Sequence, residues 1–232
     1  MLSPDSLAKL QKNRVKYVFR EIVELEKNWD EEFKNLKWKP DFDLEDLRNP
    51  RYLWVMAIDL AEGGGGDNSV LNIFRLQVKS KELISNIDVT SEDYRKSDFF
   101  QLVQVGRFKS NTIDITTLAK LVNILTPRII NPDKIRIVCE YNAFGGEFIF
   151  QLQNVFGDKN NFDMSTVLKF KHSEEAKAKK YGLKVRADNK PVMCINLKGL
   201  IASDGIVVSD EDTVGEFEVF SKVGNSWKAS RD

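Results

Sequence analysis

The sequence predicts an α/β domain in which helices pack on a mixed β-sheet. Three observations predict it. Residues Tyr52–Leu60 (YLWVMAIDL) form a nearly continuous apolar run, as expected of a central strand buried on both faces. A Gly-rich segment over 61–68 separates that run from a second strand-like stretch, Ser69–Val78, so the sheet starts as an antiparallel hairpin. Further along the chain, apolar runs of strand length alternate with helix-period patterns.

Each element follows from local pattern. Over residues 5–37, Leu7, Leu10, Val15, Val18, Phe19, Ile22 and Leu25 recur at helical spacing among Lys, Arg and Glu, which predicts helix with Asp5 or Ser6 as cap. Pro40 and Pro50 punctuate a connector over 38–50. The division expected is a helical segment and connector over 1–50 and the compact domain over 51–232. Phe99–Phe108 reads as a third strand. Thr116 or Thr117 opens a helix through Leu118, Leu121, Val122 and Leu125, ended by Pro127. Lys134–Tyr141 is a strand, and Ala143–Phe156 a helix closed by Gly157. Ser165–Lys171 is a strand, and residues 174–190 are charged and partly loop. Asn189 caps a helix with Pro191 in its first turn, running through Val192, Ile195, Leu197, Leu200 and Ile201. Gly205–Val208 is a short strand, and Thr213–Val223 a last helix.

Composition narrows the function classes. The chain has 232 residues, with 35 Lys and Arg against 35 Asp and Glu, and 42% hydrophobic residues. That mix excludes a disordered or collagen-like chain. No apolar run approaches about 18 residues, so no membrane association is expected. The first residues carry no basic segment followed by an apolar stretch, so no signal peptide is expected. Cys139 and Cys194 each sit in an apolar run, which predicts reduced, buried thiols. Net neutrality argues against a bulk polyanion binder, yet leaves room for a basic strip beside an acidic metal site.

Three segments carry candidate chemistry. Asp59 ends the first buried strand, where an acid is costly unless something pairs with it. Glu62, four glycines and Asp67 follow, and a hairpin would bring Asp67 back toward Asp59. The bland reading is a loop tip with turn-forming acids. Glu140 ends the strand Lys134–Cys139 in the same way. If that strand lies beside the first, Asp59 and Glu140 meet at one sheet edge and offer hard oxygens to Mg²⁺ or Mn²⁺. Two such ions about 3.5–4 Å apart would activate water and stabilise a leaving oxygen in phosphodiester cleavage. The alternative is a Glu paired with Arg136 or a lysine. The third segment is basic: Lys169, Lys171, Lys177, Lys179, Lys180, Lys184, Arg186 and Lys190, with His172. It suits phosphate neutralisation, or is a solvated loop balanced by Glu174, Glu175 and Asp188. His172 has no nucleophile motif to serve and reads as a surface or phosphate-contact residue.

The ordered set resembles the nuclease domain of the large terminase subunit of tailed bacteriophages. The residues that carry the resemblance are Asp59-x-x-Glu62-Gly63 with Asp67, then Glu140-Tyr141-Asn142. Next come Lys184, Arg186 and Lys190–Cys194 leading into Leu197–Ile201, and last Glu216-Phe217, Phe220-Ser221 and Gly224–Trp227. It covers roughly residues 50–232. The resemblance implies an RNase H-like fold and a metal-dependent endonuclease that cuts concatemeric double-stranded viral DNA in the host cell cytoplasm. It implies that Asp59 and Glu140 are catalytic metal ligands, that Asp67 also belongs to the metal site, that Glu62 supports it, and that Lys190 lies near DNA. Lys169, Lys171, Lys184 and Arg186 would guide the duplex. In the full motor the partners implied are the packaging ATPase domain, the portal and the small terminase subunit. No Walker A motif is present, so the ATPase is not expected in this sequence. The family's third carboxylate lies a few residues after the Ser-Trp segment, and here Asp232 follows Ser226-Trp227 closely. A truncated domain with an incomplete metal site is therefore expected, and with it an alternative function: a catalytically incomplete module that docks DNA or the portal. A third reading is a phosphotransferase of the actin and sugar-kinase type, which also starts with a strand-end Asp and a Gly-rich hairpin.

Overall fold

The computed structural model describes residues 2–27, 29–61, 66–80, 99–141, 143–157, 162–172, 177–223 and 226–229. Glu62, Glu174, Glu175 and Asp232 lie outside the described residues. The centre is a mixed sheet built on the three strands read from the sequence. These are β3 (Leu53–Asp59), β4 (Ser69–Val78) and β5 (Phe100–Ser110), joined antiparallel in the order β5-β4-β3. β6 (Ile135–Cys139) adds parallel to β3, with Ile58 opposite Cys139. The parallel step needs a crossover. It is supplied by α3 (Ile115–Arg128), which runs between β5 and β6.

The N-terminal region corrects the expectation. Only α1 (Pro4–Lys12) is a helix of useful length. After it come β1 (Val18–Phe19), the short α2 (Val23–Glu26), a 3-10 turn at Glu31–Asn35 and β2 (Leu36–Trp38). β2 pairs antiparallel with β5 and β1 with β2, so these residues extend the sheet. Ile22, Leu25, Phe33, Leu36, Trp38, Phe42 and Leu47 share one apolar core with Trp54 and Phe108, and the core has no break at residue 50. The physical reason is long-range pairing. Trp38 lies over Gly106 of β5, where a Cβ would stand 2.7 Å from the indole, so only glycine accepts the ring there.

Helices cover both faces. α3 and α4 (Ala143–Phe150, continued as a π-helical stretch to Gly157) cover the face that carries Trp54, Met56 and Ile58. α1, α5 (Lys190–Ala202) and α6 (Glu211–Val219) cover the other. Asp114, rather than a threonine, caps α3 by accepting from the Thr117 amide at 2.9 Å. Thr126 leaves helical dihedrals because Pro127 follows it, and the chain then resumes to Arg128.

Three further expectations are corrected. The strand over 165–171 reduces to a 3-10 turn at Met164–Thr166 and β7 (Lys169–Phe170), paired with β8 (Lys180–Tyr181). The helix from Thr213 stops at Val219; β10 (Phe220–Val223) follows and pairs with β11 (Ser226–Ala229). Cys194 is half-buried rather than buried, whereas Cys139 is fully enclosed and burial pushes its thiol up to about 12. β9 (Ile206–Val207) forms where a short strand is expected and pairs parallel with β5.

Candidate active site

Strand alternation decides which side chains reach the site. On β3, Trp54, Met56 and Ile58 enter the larger core, so Val55, Ala57 and Asp59 face the other way. On β6, Ile135, Ile137 and Cys139 enter the same large core, so Glu140, one residue past the strand, falls in phase with Asp59. The Glu140 amide donates to the Ile58 carbonyl at 3.0 Å. The Glu140–Leu183 bridge then fixes the far side of Glu140. Two acids distant in sequence therefore stand side by side at the carboxyl ends of adjacent parallel strands.

Asp59 is exposed and Glu140 half-buried. Burial, the charge of Asp59 and a hydrogen bond to Asp59 push the Glu140 carboxyl up to about 7, against the pull of the Lys190 ammonium. Arg136 is not the partner of Glu140: its guanidinium donates to the Ile135 carbonyl at 2.6 Å. Two like charges held together, one of them partly desolvated, fit a hard divalent cation as their shared counter-charge. Among the described residues no cluster of three or more acids, histidines or cysteines suited to a metal occurs.

Asp59, Glu140 and Lys190 share a cleft of about 530 Å³ with Lys198, Glu216 and Phe217. Lys190 reaches it as the first residue of α5, with Pro191 setting the helix start. Asn189 does not cap that helix with its side chain. Its Oδ1 accepts from the Arg186 amide at 2.8 Å and its Nδ2 donates to the Lys184 carbonyl at 2.9 Å, which folds the preceding loop. Glu216 is tied to Lys109 of β5 at 2.9 Å.

The other candidates fall elsewhere. Asp67 is exposed in the turn before β4 and does not line the cleft. Lys169, Lys171 and Lys184 are exposed on or beside the β7–β8 pair, outside the cleft. Lys169 lies over the Tyr181 ring at 4.3 Å. Arg186 is occupied: it bonds Asp188 twice at 3.0 Å and the His172 carbonyl at 2.8 Å. His172 is half-buried, its Nε2 hydrogen-bonded to the Gly182 carbonyl oxygen at 3.0 Å and its ring 4.5 Å from Tyr141. Sequence reasoning missed Lys198, Glu216 and Phe217 as cleft residues. Their signal is weak, because α5 and α6 reach the cleft only through tertiary packing.

No family model matches the chain, and no curated protein matches it in sequence. Solved structures do match in shape. The large terminase nuclease from thermophilic phage G20c superposes with a TM-score of 0.51 at 10% identity, over 99% of this chain and 89% of that one. Its form with bound magnesium gives 0.55 at 10% identity, over 100% and 89%. Its form with bound cobalt gives 0.52 at 11% identity, over 99% and 88%. At this identity the likeness is one of fold: this chain has the mixed-sheet, helix-flanked architecture of those nucleases, the RNase H-like arrangement expected from sequence.

Proposed function

We propose that this chain is the metal-dependent endonuclease domain of a viral DNA-packaging terminase, cutting concatemeric double-stranded DNA by phosphodiester hydrolysis. The observation that carries the reading is the placement of Asp59 and Glu140 on adjacent parallel strand ends, beside Lys190, in one cleft. The likeness in fold to nucleases solved with bound magnesium and cobalt supports it. Asp59 and Glu140 would hold Mg²⁺ or Mn²⁺, which when bound polarises the scissile phosphate and lowers the pKa of a coordinated water. The chain's own residues do the rest. The strand ends fix the spacing of the two carboxylates, and Lys190 supplies positive charge next to them. The exposed lysines of the β7–β8 pair neutralise phosphates without reading bases, so cutting is independent of sequence. The substrate comes from the packaging motor, with its ATPase domain, portal and small subunit, in the host cytoplasm.

The test uses the full-length protein. Supercoiled plasmid is nicked in Mg²⁺ or Mn²⁺, and Asp59→Asn and Glu140→Gln reduce nicking to background. Full activity in Asp59→Ala removes the proposal. A second reading is a docking module for DNA or the portal, favoured by the limited set of clustered acids among the described residues. It predicts salt-sensitive DNA binding with no metal-dependent cutting.

A further inference from the structure

Apolar side chains line the cleft beside its charged groups. Phe217 of α6 and Leu197 of α5 pack against the smaller core and also line the cleft. Met193 stands one turn before Leu197, on the same face of α5, and is 37% exposed. These three side chains share the cleft with Asp59, Glu140, Lys190 and Lys198. An anchored aromatic ring thus lies in the same space as the groups that would handle a phosphate.

An intact duplex meets only the charged half of that combination. It presents phosphates, sugars and base edges outward and keeps the flat faces of its bases stacked inside. An apolar wall beside the phosphate site stays wet against such a surface. A single strand offers each base face to an aromatic side chain and its phosphates to flanking cations. At about 530 Å³ the cleft has the volume of a small-ligand pocket, which suits one nucleotide better than a duplex.

We propose that the cleft receives one unstacked nucleotide of a DNA strand, its base resting on Phe217 between Met193 and Leu197, and its neighbouring phosphates meeting Lys190 and Lys198. The inference rests on the nuclease reading only for the position of the scissile phosphate at Asp59 and Glu140. Its consequence is a substrate preference: single strands and locally opened duplexes are taken ahead of intact ones. An intact duplex must first give up stacking and pairing, and a strand that is already open does not.

Fluorescence anisotropy of the full-length protein tests it. A single strand of about a dozen thymidylates is compared with a duplex of equal length, in Ca²⁺, with strand integrity checked on a gel. The single strand binds about ten-fold tighter or more at equal salt. Phe217→Leu keeps the apolar packing but removes the flat ring, and Met193→Gln alters an exposed position that the fold does not need. Each lowers the preference several-fold, whereas Lys198→Ala weakens both substrates. Equal or tighter binding of the duplex overturns the inference, as does full preference in both the Phe217 and Met193 variants. Metal-dependent nicking is read separately. Normal nicking without strand preference sinks this inference alone, and strand preference without nicking sinks the nuclease reading alone.

Discussion

The two faces of the central sheet are built differently. Against α3 and α4, Trp54, Met56, Ile58, Phe108 and Ile137 join a continuous apolar core that reaches back to Phe33 and Leu36. Against α1, α5 and α6, the buried apolar set among the described residues is Leu10, Phe74, Ile201, Val208 and Val214. That second layer is held by polar contacts. Arg107 meets Asp210 at 2.9 Å and Asp212 at 2.5 Å. Gln104 accepts from the Ser209 and Asp210 amides, and Tyr17 donates to the Gln104 carbonyl. The cleft opens on this thinner side. The lesson is a division of labour within single strands: alternate residues of β3 either fill the core or face the cleft. A one-residue slip in register would exchange Asp59 with Ile58 and destroy both layers.

The largest effect that sharpens this contrast is a cavity in the thick core. Trp54→Ala removes a side chain that is 1% exposed and should cost about 3–5 kcal/mol, read by urea unfolding. Met193→Ala on the cleft side should change stability by no more than about 0.5 kcal/mol. Similar losses at the two positions would mean that the second face is as tightly built as the first. Next in size is the polar brace. Asp210→Ala leaves the buried Arg107 facing the half-exposed Asp212 without its enclosed partner, and strips α6 of the carboxylate that accepts from the Thr213 amide at 3.0 Å. A loss of about 3 kcal/mol is expected. A loss below about 1 kcal/mol would show that the thin face does not depend on its ion pair.

How much of this was legible in the sequence depends on the range of the forces involved. β3 and β4 carry their own signals, an apolar run and a Gly-rich turn, and their hairpin follows from residues near in sequence. Asp59 and Glu140 were legible because each ends an apolar run, although their meeting required β6 to choose β3 as neighbour. The helical reading of residues 5–37 fails beyond Lys12 because Val15, Val18, Phe19 and Ile22 satisfy helical spacing, while Val15 bridges Asp210 and Val18 and Phe19 pair with β2, which is itself held by β5 far along the chain. Trp38 over Gly106 is invisible to any local pattern. The same holds for the Arg107–Asp210 brace and for Phe217, whose place in the cleft depends on how α6 docks. The basic stretch was legible as charge only. Its division into exposed lysines and an Arg186 engaged by Asp188 and His172 appears with the tertiary contacts.

A smaller effect separates function from stability at the strand ends. Asp59 and Glu140 repel each other when no cation is shared, so Glu140→Gln should stabilise the chelated protein by about 1 kcal/mol at mildly alkaline pH. The same variant should lose most of the rise in melting temperature that Mg²⁺ or Mn²⁺ gives the parent. Differential scanning fluorimetry with and without metal reads both. A Gln variant that is less stable in chelator and still responds fully to metal would place the cation elsewhere.

The smallest expected effect lies on the exposed lysines of the β7–β8 pair, whose Tyr181 packs at the margin of the larger core. The exposed Lys169 ammonium lies over the Tyr181 ring, and removing such a surface side chain should leave stability within about 0.5 kcal/mol. Its charge should register in DNA binding. Each phosphate neutralised contributes about 0.9 to the slope of log affinity against log salt on duplex DNA, so Lys169→Ala should flatten that slope by about one unit. Arg186→Ala offers the control. Its guanidinium is already engaged by Asp188 and the His172 carbonyl, so its loss should loosen the loop without changing the slope. Anisotropy titrations across a salt series distinguish the two variants. If Arg186 flattens the slope and Lys169 does not, the cations that meet the phosphates are those inside the fold, and the exposed pair is a solvated surface.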